Sequence, residues 1–140
     1  MIDQDTRRMI IIDHYERPRN HKLIEDIMCK QKHSASDSCI DDFTMQIKVE
    51  DDIVKEANFI SHGCALSTSS TSIITTMIKG KSKEEALKII DNYLAMVQGQ
   101  DYDREDLEEL EVFDNVYKQA NRINCACIGP KAFKELLENE

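Results

Sequence analysis

Three cysteines, Cys39, Cys64 and Cys125, lie far apart in this chain and carry its most informative chemistry. Cys39 opens the run Cys39-Ile40-Asp41, Cys64 follows Gly63, and Cys125 closes Arg122-Ile-Asn-Cys125. Three thiolates and a carboxylate are a sufficient ligand set for tetrahedral zinc, and similar donors hold iron–sulfur clusters. The residues around Cys64 and Cys125 place each thiol just before a helix. Unpaired N–H groups of a first helical turn favour the thiolate, which is the form that binds metal. Cys39 leaves a polar stretch, residues 31–38, at the mouth of a strand, where a thiol can be both ligand and nucleophile. Asp41, two residues on, falls on the same side of an extended chain. The spacing contains no Cys-x-x-Cys pair, and unbridged cysteines often serve as small buried hydrophobes. A shared metal site and scattered core thiols therefore both stay open on the residues alone. Cys29 and Cys127 read as core or surface thiols, because Cys127 does not share a helical face with Cys125.

The elements that would position these groups follow from periodicity. Asp5 to Tyr15 reads as a helix capped by Asp5 or Thr6, with Met9, Ile10, Ile12 and Tyr15 as its apolar side, and Pro18 stops it. Arg17 to Lys22 forms a small basic island, either a solvated helix exit or a docking surface. Residues 31–38 read as a loop. Phe43, Met45, Ile47 and Val49 alternate with polar residues, as in a strand with one buried face. Glu50 to Asp52 turns the chain, Ile53 to Ile60 returns as a hairpin partner, and a third strand is placed through residues 61–63. Leu66, Ile73, Ile74, Met77 and Ile78 fit a helix after Cys64, ended by Gly80. Ser82 with Glu85 is a capping box, and Ala86, Leu87, Ile89, Ile90, Tyr93, Leu94 and Val97 form the core stripe of the next helix. The acidic stretch 101–114 reads as a short helix anchored by Leu107, Leu110, Val112 and Phe113. A last helix spans 130–138, with Pro130 in its first turn. The sum is one α+β domain over residues 1–140, a small antiparallel sheet of about three strands with helices packed on one face.

With 140 residues there is room for one core, and the net charge of −9 disfavours nucleic acid. No run reaches the roughly 18 apolar residues of a membrane span. No secretory signal is visible at the start, and an odd cysteine count suits reduced thiols, so a cytoplasmic protein is expected.

The ordered motifs resemble the IscU/NifU N-terminal family of iron–sulfur assembly proteins, with its SufE/NifU-like fold. Asp13-His14-Tyr15 with Pro18-Arg19-Asn20 is similar to the family's opening motif. Cys39-x-Asp41 resembles its Cys-Gly-Asp, Gly63-Cys64 its second cysteine motif, and Arg122-Ile-Asn-Cys125 its third. The SufU-like branch fits better than the scaffold branch. Asn124 stands where scaffold proteins carry His, Gln119 to Arg122 differs from their Leu-Pro-Pro-Val-Lys chaperone motif, and Gln98 to Asp103 resembles the SufU insertion. The resemblance implies zinc held by Cys39, Asp41, Cys64 and Cys125, with iron or a [2Fe–2S] cluster as the alternative. It also implies a pyridoxal-phosphate cysteine desulfurase as partner, with cluster assembly machinery downstream. Cys39, freed from the metal by a ligand of the partner, would take sulfur by thiolate exchange. Arg122 would steady the acidic ligand or the thiolates, or is a plain surface residue. A scaffold for cluster assembly and a metal-stabilised adaptor without sulfur transfer are the competing readings. One departure is Ile40 in place of the family's glycine, which stiffens the Cys39 segment and makes Asp42 the reserve ligand.

Overall fold

The computed structural model describes residues 2–35 and 42–139, so Cys39, Ile40 and Asp41 lie outside the described residues. The elements run α1 (Gln4–Glu16), β1 (Lys30–Ala35), β2 (Asp42–Glu50), β3 (Ile53–His62), α2 (Ala65–Ile78), α3 (Lys83–Val97), three short 3-10 turns between 104 and 118, and α4 (Ala120–Glu138). The three strands form one antiparallel sheet in the order β1-β2-β3. Helices α2, α3 and α4 pack against it, and the fold is the expected α+β.

Alternation fixes the sheet's inner face. Phe43, Met45 and Ile47 on β2 and Ala57 and Phe59 on β3 are fully buried. The Phe43 and Phe59 rings stack across the strands at 6.2 Å and 9°. Glu50 pairs with Ile53 around Asp51 and Asp52, whose φ values of 51° and 66° make a two-residue turn of the mirror-image kind that suits strand twist. β3 runs on to His62, so the expected third strand at 61–63 is part of the second hairpin arm.

The true third strand is β1, which corrects the loop expected at 31–38 over its described part. Its sequence, Lys-Gln-Lys-His-Ser-Ala, has no apolar alternation because it is an edge strand, and charged edges resist pairing with other chains. The acidic stretch is helical as expected but as two short 3-10 segments, Arg104–Asp106 and Glu108–Phe113, and Leu107, Leu110, Val112 and Phe113 are its buried anchors.

α2 is buried almost all round. Ser67 to Thr75 are fully or nearly buried, and their hydroxyls bond back to helix carbonyls, as Ser69 to Ala65 (2.6 Å) and Thr71 to Ser67 (2.8 Å) do. Small side chains let α1 and α4 approach it closely. A Cβ on Gly129 of α4 would sit 1.9 Å from Thr71 Oγ1.

α4 begins ten residues earlier than Pro130 suggested, so Pro130 is interior and Cys125 lies within the helix. Proline has no N–H for the carbonyl four residues back, here Ala126. The Tyr93 hydroxyl of α3 donates to that carbonyl at 2.9 Å instead. α1 also turns differently from the sequence reading. Its buried residue is His14, with Ile10 and Ile11 half-buried, while Met9 (69% exposed), Ile12 (44%) and Tyr15 (45%) face outward.

Candidate functional site

Cys64 is the N-cap of α2, with extended backbone at φ −77° and ψ 171°. Its sulfur accepts from the Ser67 N–H at 3.4 Å and lies 3.3 Å from Ser67 Oγ. The residue is exposed, so a thiol held at a helix N-terminus is also reachable. This is the placement expected for it.

Cys125 is buried inside α4, not ahead of the helix. Leu66 in the first turn of α2 lines the same cavity as Gln119 and Arg122 at the start of α4. Thr71 and Gly129 meet further along. The helices therefore run side by side in one direction, with both cysteines in their N-terminal halves.

The sheet ends at the same place. Ala35 pairs with Asp42 and Asp42 pairs with His62, two residues before Cys64. Residues 36–41, which carry Cys39 and Asp41, connect β1 to β2 at this row. Asp42, the reserve ligand, has Oδ1 2.5 Å from His33 Nε2. His33 went unnoticed as a partner of Asp42 because β1 was not recognised in the sequence. Among the described residues, no three His, Cys, Asp or Glu side chains group closely enough to hold a metal ion. The structure sets Asp42 in the strand row that ends two residues before Cys64 and carries Cys125 on the helix beside α2, while Cys39 and Asp41 lie outside the described residues.

The other thiols differ in kind. Burial pushes the Cys127 thiol up, and burial followed by the Asp26 charge does the same to Cys29. Both favour the protonated, unreactive form.

The opening motif is an anchor. His14 Nδ1 pairs with Ser72 Oγ at 2.7 Å, and the same oxygen accepts the Arg19 N–H at 2.9 Å. Arg17 and Arg19 both bind Asp13, and Asn20, at φ 57°, donates to Thr75 Oγ1 at 3.0 Å. The basic island is tied to α1 and α2, and those ties hold the helix whose cap is Cys64.

A family model described as NifU-like N terminal domain matches residues 6–139. The chain belongs to this family. Its NifU-like relatives include the zinc-dependent sulfurtransferase SufU of Bacillus subtilis, 35% identical over 134 residues, covering 95% of this chain and 90% of that one. The iron–sulfur cluster assembly scaffold protein IscU of Streptococcus pyogenes is 33% identical over 130 residues, covering 92% and 80%. Among solved structures, a putative iron–sulfur cluster assembly scaffold protein for the SUF system from Fervidobacterium islandicum superposes with TM-score 0.86 at 29% identity, covering 91% of this chain and 93% of that one.

Proposed function

We propose that this NifU-like domain serves iron–sulfur cluster assembly as a zinc-binding sulfur acceptor, with Cys39, Asp41, Cys64 and Cys125 as ligands. The observation that carries the reading is an exposed cap thiol on α2, supported by a thiol in the N-terminal half of the neighbouring helix α4 and a sheet row that flanks residues 36–41 and ends two residues before Cys64. The donors suit the metal, because sulfur ligands with one carboxylate form a four-coordinate zinc set. Bound zinc would keep the thiols deprotonated near neutral pH.

The chain's own residues do the rest. Cys39 thiolate attacks the outer sulfur of a persulfide on a cysteine desulfurase. A new S–S bond forms at Cys39, the partner's S–S bond breaks, and the partner's cysteine leaves as thiolate carrying the charge. The resulting Cys39 persulfide passes its sulfur to the assembly machinery by the same exchange. Cys64 is held by its cap bond with Ser67, so Cys39 is proposed as the nucleophile. The likeness to SufU of B. subtilis over 95% of the chain supports sulfur transfer.

The test is metal analysis of the purified protein together with a desulfurase assay. About one zinc per chain and loss of desulfurase activation in Cys39→Ala are expected. Undiminished activation by that variant would refute the relay. The IscU likeness supports a second reading, a scaffold for a [2Fe–2S] cluster. It requires a coloured species on anaerobic reconstitution with iron and sulfide.

A further inference from the structure

We propose that the arginine-lined cavity between α1 and the start of α4 is a docking pocket for an acidic, partly apolar segment of a partner protein. The cavity has a volume of about 290 Å³. Among the described residues its charged lining is Arg7, Arg8 and Arg122 with no carboxylate, in a chain of net charge −9. By contrast, the cavity beside Lys79, Lys81 and Lys88 is also lined by Glu85, Glu105 and Asp106 and neutralises itself.

Two further observations point to an anion. Arg7 binds Asp114 through Nη2 at 2.9 Å, which leaves its Nε buried with no hydrogen-bond partner among the described residues. The start of α4, which shares the lining, has no side-chain cap at Gln119 and no acidic residue in its first turn. Its unpaired N–H groups add donors and positive potential to the same space. A carboxylate in the cavity would meet both sources of positive charge.

The apolar surroundings identify the occupant as a stretch of chain. Ile12 and Leu66 share the lining with the arginines. Arg8, Ile12 and Tyr15 follow one another at helical spacing on α1, and Ile12 and Tyr15 are 44% and 45% exposed. The apolar strip therefore runs beyond the cavity's mouth, further than a small anion would reach. A segment with Glu or Asp beside a leucine or phenylalanine covers both. The pocket uses no thiol, so this inference stands or falls separately from the sulfur-transfer reading.

The experiment is an NMR titration of the ¹⁵N-labelled full chain at low salt with the peptide acetyl-Leu-Glu-Glu-Phe-amide. Its controls are acetyl-Leu-Gln-Gln-Phe-amide and sodium sulfate. Shifts are expected at residues 8–15 and 120–122 with the acidic peptide. Binding should weaken by about tenfold or more with the glutamine peptide, and likewise in Arg8→Gln/Arg122→Gln, whose fold is checked by circular dichroism. Both arginines are exposed, so that variant keeps the core intact. The proposal is overturned by equal binding of the two peptides, by unchanged binding to the double variant, or by no shifts at these residues. Sulfate that reproduces the shifts and displaces the peptide overturns it too, by making the cavity a small-anion site.

Discussion

Replacing Gly129 by alanine tests the helix pair that positions Cys64 and Cys125. The new Cβ would stand 1.9 Å from Thr71 Oγ1 and 2.8 Å from both Thr71 Cβ and Cγ2. Turning the threonine about χ1 moves Oγ1 but not Cβ, so the backbones of α2 and α4 must separate. It would also break the Thr71 bond to the Ser67 carbonyl, 2.8 Å long and buried. Overpacking a tight core costs about 1–3 kcal/mol, and the lost hydrogen bond about 1 more. Alanine in place of glycine in a helix returns about 1 kcal/mol. Steric cost wins, with a net loss of roughly 1–3 kcal/mol and a fall in melting temperature of about 3–12 °C for a domain of this size. Thermal unfolding followed by circular dichroism measures it. In the Gly129→Ala background, Thr71→Ala should cost less than it does alone, because it removes the closest atom. A Gly129→Ala protein that melts with the parent, or additive single and double variants, would refute the close-contact argument.

Other expectations follow from single contacts. Tyr93→Phe removes the donor to the Ala126 carbonyl, and leaving that buried acceptor unsatisfied should cost about 1–3 kcal/mol in urea unfolding. In the presence of a chelator, Cys64→Ala should lower stability by about 0.5–1 kcal/mol, while Cys64→Ser keeps the cap and stays near the parent; equal melting of the two would remove the cap role. His14 titrates below its ordinary 6.5, first because burial and then because Arg19 disfavours its charged form, against partial opposition from Glu109 and Asp13. The unfolded chain then takes up a proton that the folded one refuses, so the stability present above pH 6.5 is lost as pH falls from there toward the depressed folded value. The urea midpoint measured against pH should show that decline, and His14→Asn should flatten it.

Elements whose pattern is set by burial on one side were legible in the sequence. Phe43, Met45 and Ile47 revealed β2, and Ser82 with Glu85 revealed the start of α3, where Ser82 Oγ accepts the Glu85 N–H at 3.1 Å. Elements positioned by their neighbours were not. β1 has one paired edge and a polar sequence, so its only signal is the partner strand. The start of α4 was hidden because Pro130 reads as a helix opening until Tyr93, distant in sequence, supplies the missing donor. The inward face of α1 was misread because His14 takes the buried position and Arg7 a half-buried one by finding Ser72 and Asp114 as partners. For the candidate site, the sequence placed Cys64 correctly at its cap. It could not show that the row Ala35, Asp42, His62 brings the ends of the 36–41 connection beside it, because that row is a property of strand pairing.

The helix that carries Cys125 does not complete its own ladder; one rung is lent by α3. Positions 93 and 130 are therefore expected to change in concert during divergence. A lineage that replaces Pro130 with a residue bearing an amide hydrogen releases Tyr93 from duty, whereas one that loses the phenol first inherits an orphaned carbonyl a single residue from the cysteine.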